Sequence, residues 1–112
     1  MSYNVRSVKL LIFLYSKAGQ QVSLLFEWDR TKASSNLRKH RVSFEEASSV
    51  FGDPMASTVE DPQVRSAEYR FITIGRSALG QPVVVVHTDR NDKIRIISAR
   101  KATRAERSQY EE

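Results

Sequence analysis

From Ser23 onward the apolar positions of the chain change period three times. Between Ser23 and Trp28, Leu24, Phe26 and Trp28 alternate with Leu25 and Glu27, the period of a strand with two unlike faces. Asp29 then offers an N-cap, and the spacing predicts a helix to about Lys39, with Ala33, Leu37 and His40 or Arg41 on one side and Lys32, Asn36 and Lys39 on a polar side. Ser43 and Glu46 have the spacing of a capping box and predict a second helix that carries Phe44, Ala47, Val50 and Phe51. Gly52 and the Asp53-Pro54 pair stop it.

Period 2 returns after that stop. Ala56 to Asp61 predicts a short strand, Pro62 to Ser66 a loop, and Glu68 to Gly75 a second strand. Arg76 to Gly80 forms a hairpin loop before Pro82 to Thr88, whose unbroken valines predict a strand covered on both faces. Asp89 to Asp92 is a turn, and Lys93 to Ala99 the last strand. Thr103 and Glu106 repeat the capping-box spacing and open a closing helix. Strands and helices occur in runs, so the expected class is α+β: a mainly antiparallel sheet with two helices before the strand meander and one C-terminal helix.

Residues 1–22 fit this pattern less well. Leu10 to Tyr15 is one apolar run, followed by a polar stretch with Gly19. It has the makings of an extra edge strand or a short helix. Lacking a partner pattern, it reads as an extension, poorly ordered, in front of a single domain over residues 23–112. The run is too short to span a bilayer. No clean small-x-small cleavage site follows it, so no secretory leader is expected. The chain has no cysteine, which excludes disulfides and thiolate metal sites and agrees with a reducing cytoplasm.

Charge narrows the field. The net charge is +5, and arginine supplies 12 of the 18 basic residues. Seven of the 18 fall between Arg90 and Arg107, opposed there only by Asp92 and Glu106. Such a patch favours a polyanion, and arginine grips phosphate bidentately. There is no phosphate-binding loop, no dinucleotide fingerprint, no paired-histidine motif and no acidic cluster, so neither metal nor nucleotide cofactor is expected. The inventory suits metal-independent RNA cleavage, in which the substrate's 2′-hydroxyl is the nucleophile. Fixed cations then stabilise the crowded phosphate, and side chains of suitable pKa move protons.

Strand parity supplies candidates. Arg70, Ile72, Ile74 and Arg76 share one side of their strand, and Val83, Val85 and His87 share one side of the next. In the last strand Arg95 and Ile97 oppose Ile94, Ile96, Ser98 and Arg100, so parity leaves open which arginine joins Arg70 and His87. Each candidate also has a plainer role. His87 and His40 suit half-buried or helix-end packing, Lys39 a solvated helix face, and Trp28 the core rather than base stacking. Arg95 stands out, because an arginine among isoleucines needs an ion-pair partner or a ligand.

These stretches, from Leu25 to Glu112, resemble the BrnT family of bacterial toxins. The resemblance rests on Trp28-Asp29, on Lys32, Asn36, Lys39 and His40, on Ser43 to Ala47, on Arg70 and Gly75, and on Ile94 to Arg100 before Glu106. It implies a RelE-like fold and an mRNA-cleaving toxin of a type II toxin–antitoxin pair that arrests translation. The implied partners are RNA, a cognate BrnA-like ribbon-helix-helix antitoxin, and operator DNA through the antitoxin complex only. Tyrosine is common in the family at the position of His87, which weakens a unique role for that histidine. Together, motif and parity make Arg70, His87, Arg95 and His40 the expected catalytic residues, with Lys39, Arg76, Arg100 and Lys101 expected to hold the RNA. The alternative is a non-catalytic basic module that binds nucleic acid or a protein partner.

Overall fold

A computed structural model of the protein describes residues 6–15, 18–62 and 69–111. Among these residues six strands form one sheet: β1 (Ser7–Tyr15), β2 (Gln21–Asp29), β3 (Ser57–Glu60), β4 (Phe71–Arg76), β5 (Pro82–Arg90) and β6 (Lys93–Lys101), in the spatial order β1-β2-β6-β5-β4-β3. Helices α1 (Arg30–His40) and α2 (Phe44–Ser49), followed by a 3₁₀ turn at Val50–Gly52, lie between β2 and β3 in the chain, and α3 (Arg104–Tyr110) closes it.

The α+β class and the antiparallel meander β3-β4-β5-β6 follow the sequence pattern. Two features do not. The sheet is mixed, because β2 runs parallel to β6, with Phe26 opposite Ile94 and Glu27 opposite Arg95. After β2 the chain crosses the sheet through α1 and α2 and re-enters at the far edge, so the meander returns to β2 in the same direction. Within the stretch read as an extension, Ser7–Tyr15 form a nine-residue edge strand antiparallel to β2. Val8, Leu10 and Ile12 turn inward and pack against the core, a pairing that a segment's own composition does not reveal. Residues 1–5, 16–17, 63–68 and 112, including most of the expected 62–66 loop and Glu68, lie outside the described residues.

Local signals act as their chemistry requires. Asp29 caps α1 by accepting from the Lys32 amide at 3.0 Å, and Thr103 and Glu106 make a complete capping box on α3. At α2 only half of the box forms. Ser43 accepts from the Glu46 amide, but the Glu46 carboxylate turns instead to the Ser77 hydroxyl and Gln81 amide, tying α2 to the β4–β5 hairpin. Asn91 and Asp92 take positive φ in the two-residue turn between β5 and β6, the conformation that matches strand twist. Gly75 lets the 3₁₀ turn press on β4, since a Cβ there would stand 2.8 Å from Val50 Cγ1.

The two sheet faces are covered differently. On one, α1 and α2 seal a core of Phe26, Trp28, Phe44, Val83, Val85, Ile96 and Ala99. Buried Asn36 of α1 locks this layer by donating to the carbonyls of Val42 and Ala99 and accepting from the Ala99 amide. Trp28 is 2 % exposed and meets Phe44 edge to face, so it is core and not a stacking platform. Among the described residues the other face carries α3 alone.

Candidate active site

The register of β5 and β6 decides which cations meet. Val86 lies opposite Ser98, but His87 lies opposite Ile96, so Ile97 is an extra residue in β6. Such a bulge shifts strand parity by one. Arg95 is opposite Thr88 and Arg100 is opposite Val84; Thr88 and Val84 are four apart in β5 and share a face. The two arginines that plain alternation separates therefore stand on the same face.

That face is the one beneath α3. Ile72 and Ile74 of β4 pair with Val86 and Val84, and both line a cavity with Glu106, Gln109 and Tyr110. Arg70 shares their parity. Continuing the register by one residue sets it against Thr88, whose hydroxyl donates to the neighbouring Tyr69 carbonyl at 2.6 Å. Across the sheet this gives a row: Lys9 on β1, Glu27 on β2, Arg95 on β6, Thr88 on β5, then Arg70. The Arg70 Nε is buried without a hydrogen-bond partner among the described residues. Arg95 Nη1 lies 3.5 Å from Glu27 Oε1, a long contact between a side chain 24 % exposed and one 9 % exposed. A guanidinium held so loosely has donors to spare for a phosphate.

The alternation of β2 marks Glu27 only as the polar side of its strand. The signal was present: an acid between Phe26 and Trp28 must project from the face opposite the core. Its burial needed the sheet order, which places β6 and Arg95 beside it.

Farther along the face, Arg100 makes a bidentate pair with Glu106 at 2.7 and 2.9 Å. These hydrogen bonds, with that from the Thr103 amide, hold the Glu106 carboxyl down at about 2 despite partial burial. Arg76 pairs with Glu111 at 3.0 Å. Arg76 and Lys101 also meet Arg107 at a notch of about 280 Å³ at the hairpin end of the sheet.

The histidines are elsewhere. His87 shares the parity of Val83 and Val85, on the helix-sealed face, and is 5 % exposed. Its Nε2 is 2.7 Å from the Thr73 hydroxyl, and its ring packs against Phe51 and Phe71. Burial pushes its pKa below the ordinary range, against a smaller opposing effect of Asp89. The structure thus does not bring His87 to the arginines with which sequence parity grouped it. Lys39 and His40 are exposed at the end of α1, the helix on that same sealed face, and do not reach the row either.

Comparison with known proteins points one way. The family model described as "Ribonuclease toxin, BrnT, of type II toxin-antitoxin system" matches residues 28–106. The 1.1 Å crystal structure of the Brucella abortus ribonuclease toxin BrnT superposes with a TM-score of 0.51 at 22 % identity, over 69 % of this chain and 94 % of that one. No curated protein matches.

Proposed function

The chain belongs to the BrnT family of ribonuclease toxins of type II toxin–antitoxin systems, and we propose that it cleaves RNA, without a metal, on the arginine row beneath α3. The observation that carries this reading is the bulge at Ile97, which turns Arg95 and Arg100 to one face beside Arg70. Arg95 and Arg70 grip the scissile phosphate from two strands and stabilise its added negative charge in the transition state. The RNA's 2′-oxygen attacks phosphorus while its proton passes to Glu27, the carboxylate already in the row. The bond to the 5′-oxygen breaks, and that oxygen takes a proton from water, leaving a 2′,3′-cyclic phosphate and a 5′-hydroxyl. Arg100 and Arg76 hold the backbone at either side of the last helix, and Lys39 and Lys101 add steering potential. His87 and His40 have no part in the chemistry.

On this reading the target is messenger RNA, and the effect of cleavage is arrest of translation. A cognate antitoxin of the ribbon-helix-helix type, itself the operator-binding component, neutralises the protein. Incubation of the purified protein with RNA in EDTA tests the chemistry. Cleavage with cyclic-phosphate ends supports it, whereas a gel shift without cleavage favours a binding module. Growth arrest on induced expression, relieved by the neighbouring gene, tests the toxin role.

A further inference from the structure

α3 is pinned to the sheet and not packed on it. None of its residues is buried, and what holds it is polar: Glu106 to Arg100, the Tyr110 hydroxyl to Asp53, and Glu111, just past its end, to Arg76. Protein interiors normally close over such gaps. Here a cavity of about 260 Å³ remains between helix and sheet. Its floor is the aliphatic surface of Ile72, Ile74 and Val84, and its wall is Glu106, Gln109 and Tyr110.

Resting on the ribonuclease reading above, we propose that this cavity holds one base of the RNA, beside the phosphate gripped by Arg70 and Arg95. Ile72 and Ile74 stand two and four residues from Arg70 on the same strand face, so the cavity opens about 7 Å from that arginine and ends about 14 Å away. That is the distance of a nucleotide adjoining the phosphate. The volume lies just below the roughly 300–1,000 Å³ of drug-sized sites, which suits a single heterocycle. The flat aliphatic floor takes the face of a ring, and the polar wall meets its edge.

The wall also selects. Glu106 is ionised at any physiological pH. Its Oε1 accepts from Arg100 and the Thr103 amide, but among the described residues its Oε2 accepts from Arg100 alone. An ionised carboxylate oxygen has room for a second donor. The exocyclic amine of adenine or cytosine supplies one; the carbonyl that uracil or guanine presents at the same ring position is repelled. An apolar protein anchor fits less well, since it would cover an ionised carboxylate while satisfying none of its remaining capacity.

The test is a methyl NMR titration of the full chain with 2′-O-methyl dinucleotides, which lack the nucleophile and are not cut. Adenine- and cytosine-containing dinucleotides shift the Ile72, Ile74 and Val84 methyls and bind about ten-fold tighter than diuridylate. Val59→Trp, at a cavity residue that is 56 % exposed and so free to change without unfolding the protein, abolishes these shifts. Unshifted methyls, or equal response to uracil, overturn the base site. So does a result in which only the antitoxin moves these methyls. RNA cleavage is scored in parallel: cleavage without methyl shifts sinks the cavity proposal alone, and selective methyl shifts without cleavage sink the nuclease reading alone.

Discussion

The two faces of the sheet use the same strands for opposite purposes. The face under α1 and α2 is mostly apolar and packed, apart from a surface pocket of about 370 Å³ beside Val8, Trp28 and Phe44. Where polar groups enter it, Asn36 has three backbone partners and the His87 Nε2 meets Thr73, while the His87 Nδ1 is buried without a partner among the described residues. The face under α3 carries arginines, ion pairs and open space. Neighbouring residues of one strand serve both: His87 belongs to the sealed side and Thr88 to the cationic side. Histidine, the residue type most often tied to proton transfer, thus stands buried on the first side, while the arginines line the second. Which face a side chain joins decides its role more than its intrinsic chemistry does.

If this division holds, substitutions on the two faces separate activity from stability. The largest effect is on the cationic face. Arg95→Ala, or Arg70→Ala, lowers RNA cleavage by roughly 10²–10³-fold in single-turnover assays, the scale for removing one fixed transition-state donor. Because Arg95 faces buried Glu27, the Glu27→Gln/Arg95→Ala pair serves as the folding control, with a melting temperature close to that of the parent. On the sealed face, Asn36→Ala strips partners from buried backbone groups and costs about 3 kcal/mol in urea unfolding, while the fraction still folded cuts RNA as before.

His87 sharpens the contrast through pH. Its pKa in the folded protein lies below the value of about 6.5 in the unfolded chain, so the unfolded state takes up more protons as pH falls below 6.5. Its contribution to stability is complete above that value and is lost as pH drops. Melting temperature measured from pH 7.5 to 5 falls accordingly, less steeply for His87→Gln, whose cleavage activity at pH 7.5 is unchanged. The smallest effect is at the α3 anchor. Both partners are partly exposed, so Glu106→Gln costs no more than about 1 kcal/mol in a thermal melt. In the parent this pair weakens only as pH falls from about 4.5 toward 2, since its carboxyl is held at about 2.

Much of the fold was legible because local chemistry dictated it. The caps at Asp29, Ser43 and Thr103, the stop at Gly52 to Pro54, and the valine run of β5 each act over a few residues. What escaped was non-local. β1 forms only because β2 and the core receive its apolar side, and the parallel β2–β6 pair exists only once the helices have carried the chain across the sheet. The site was legible as a set of cations but not as an arrangement. Arg95 was singled out correctly as an arginine that requires a partner, and Glu27 is that partner. Simple alternation split Arg95 from Arg100 and grouped His87 with the arginines. One additional residue, Ile97, reverses the first grouping, and the fall of strand faces reverses the second. A bulge has no side-chain signature within a run such as Ile-Arg-Ile-Ile, so nothing in that stretch announces it.

The central claim is that a phosphate binds across β4 and β6 on the face beneath α3. A crystal structure of the protein with a short RNA carrying 2′-deoxy at the cleaved position tests it most directly. The account predicts a phosphate in contact with both Arg70 and Arg95, with the 2′-carbon directed at Glu27. A phosphate bound instead over α1, near Lys39 and His40, or against His87 after displacement of Phe51, would contradict it.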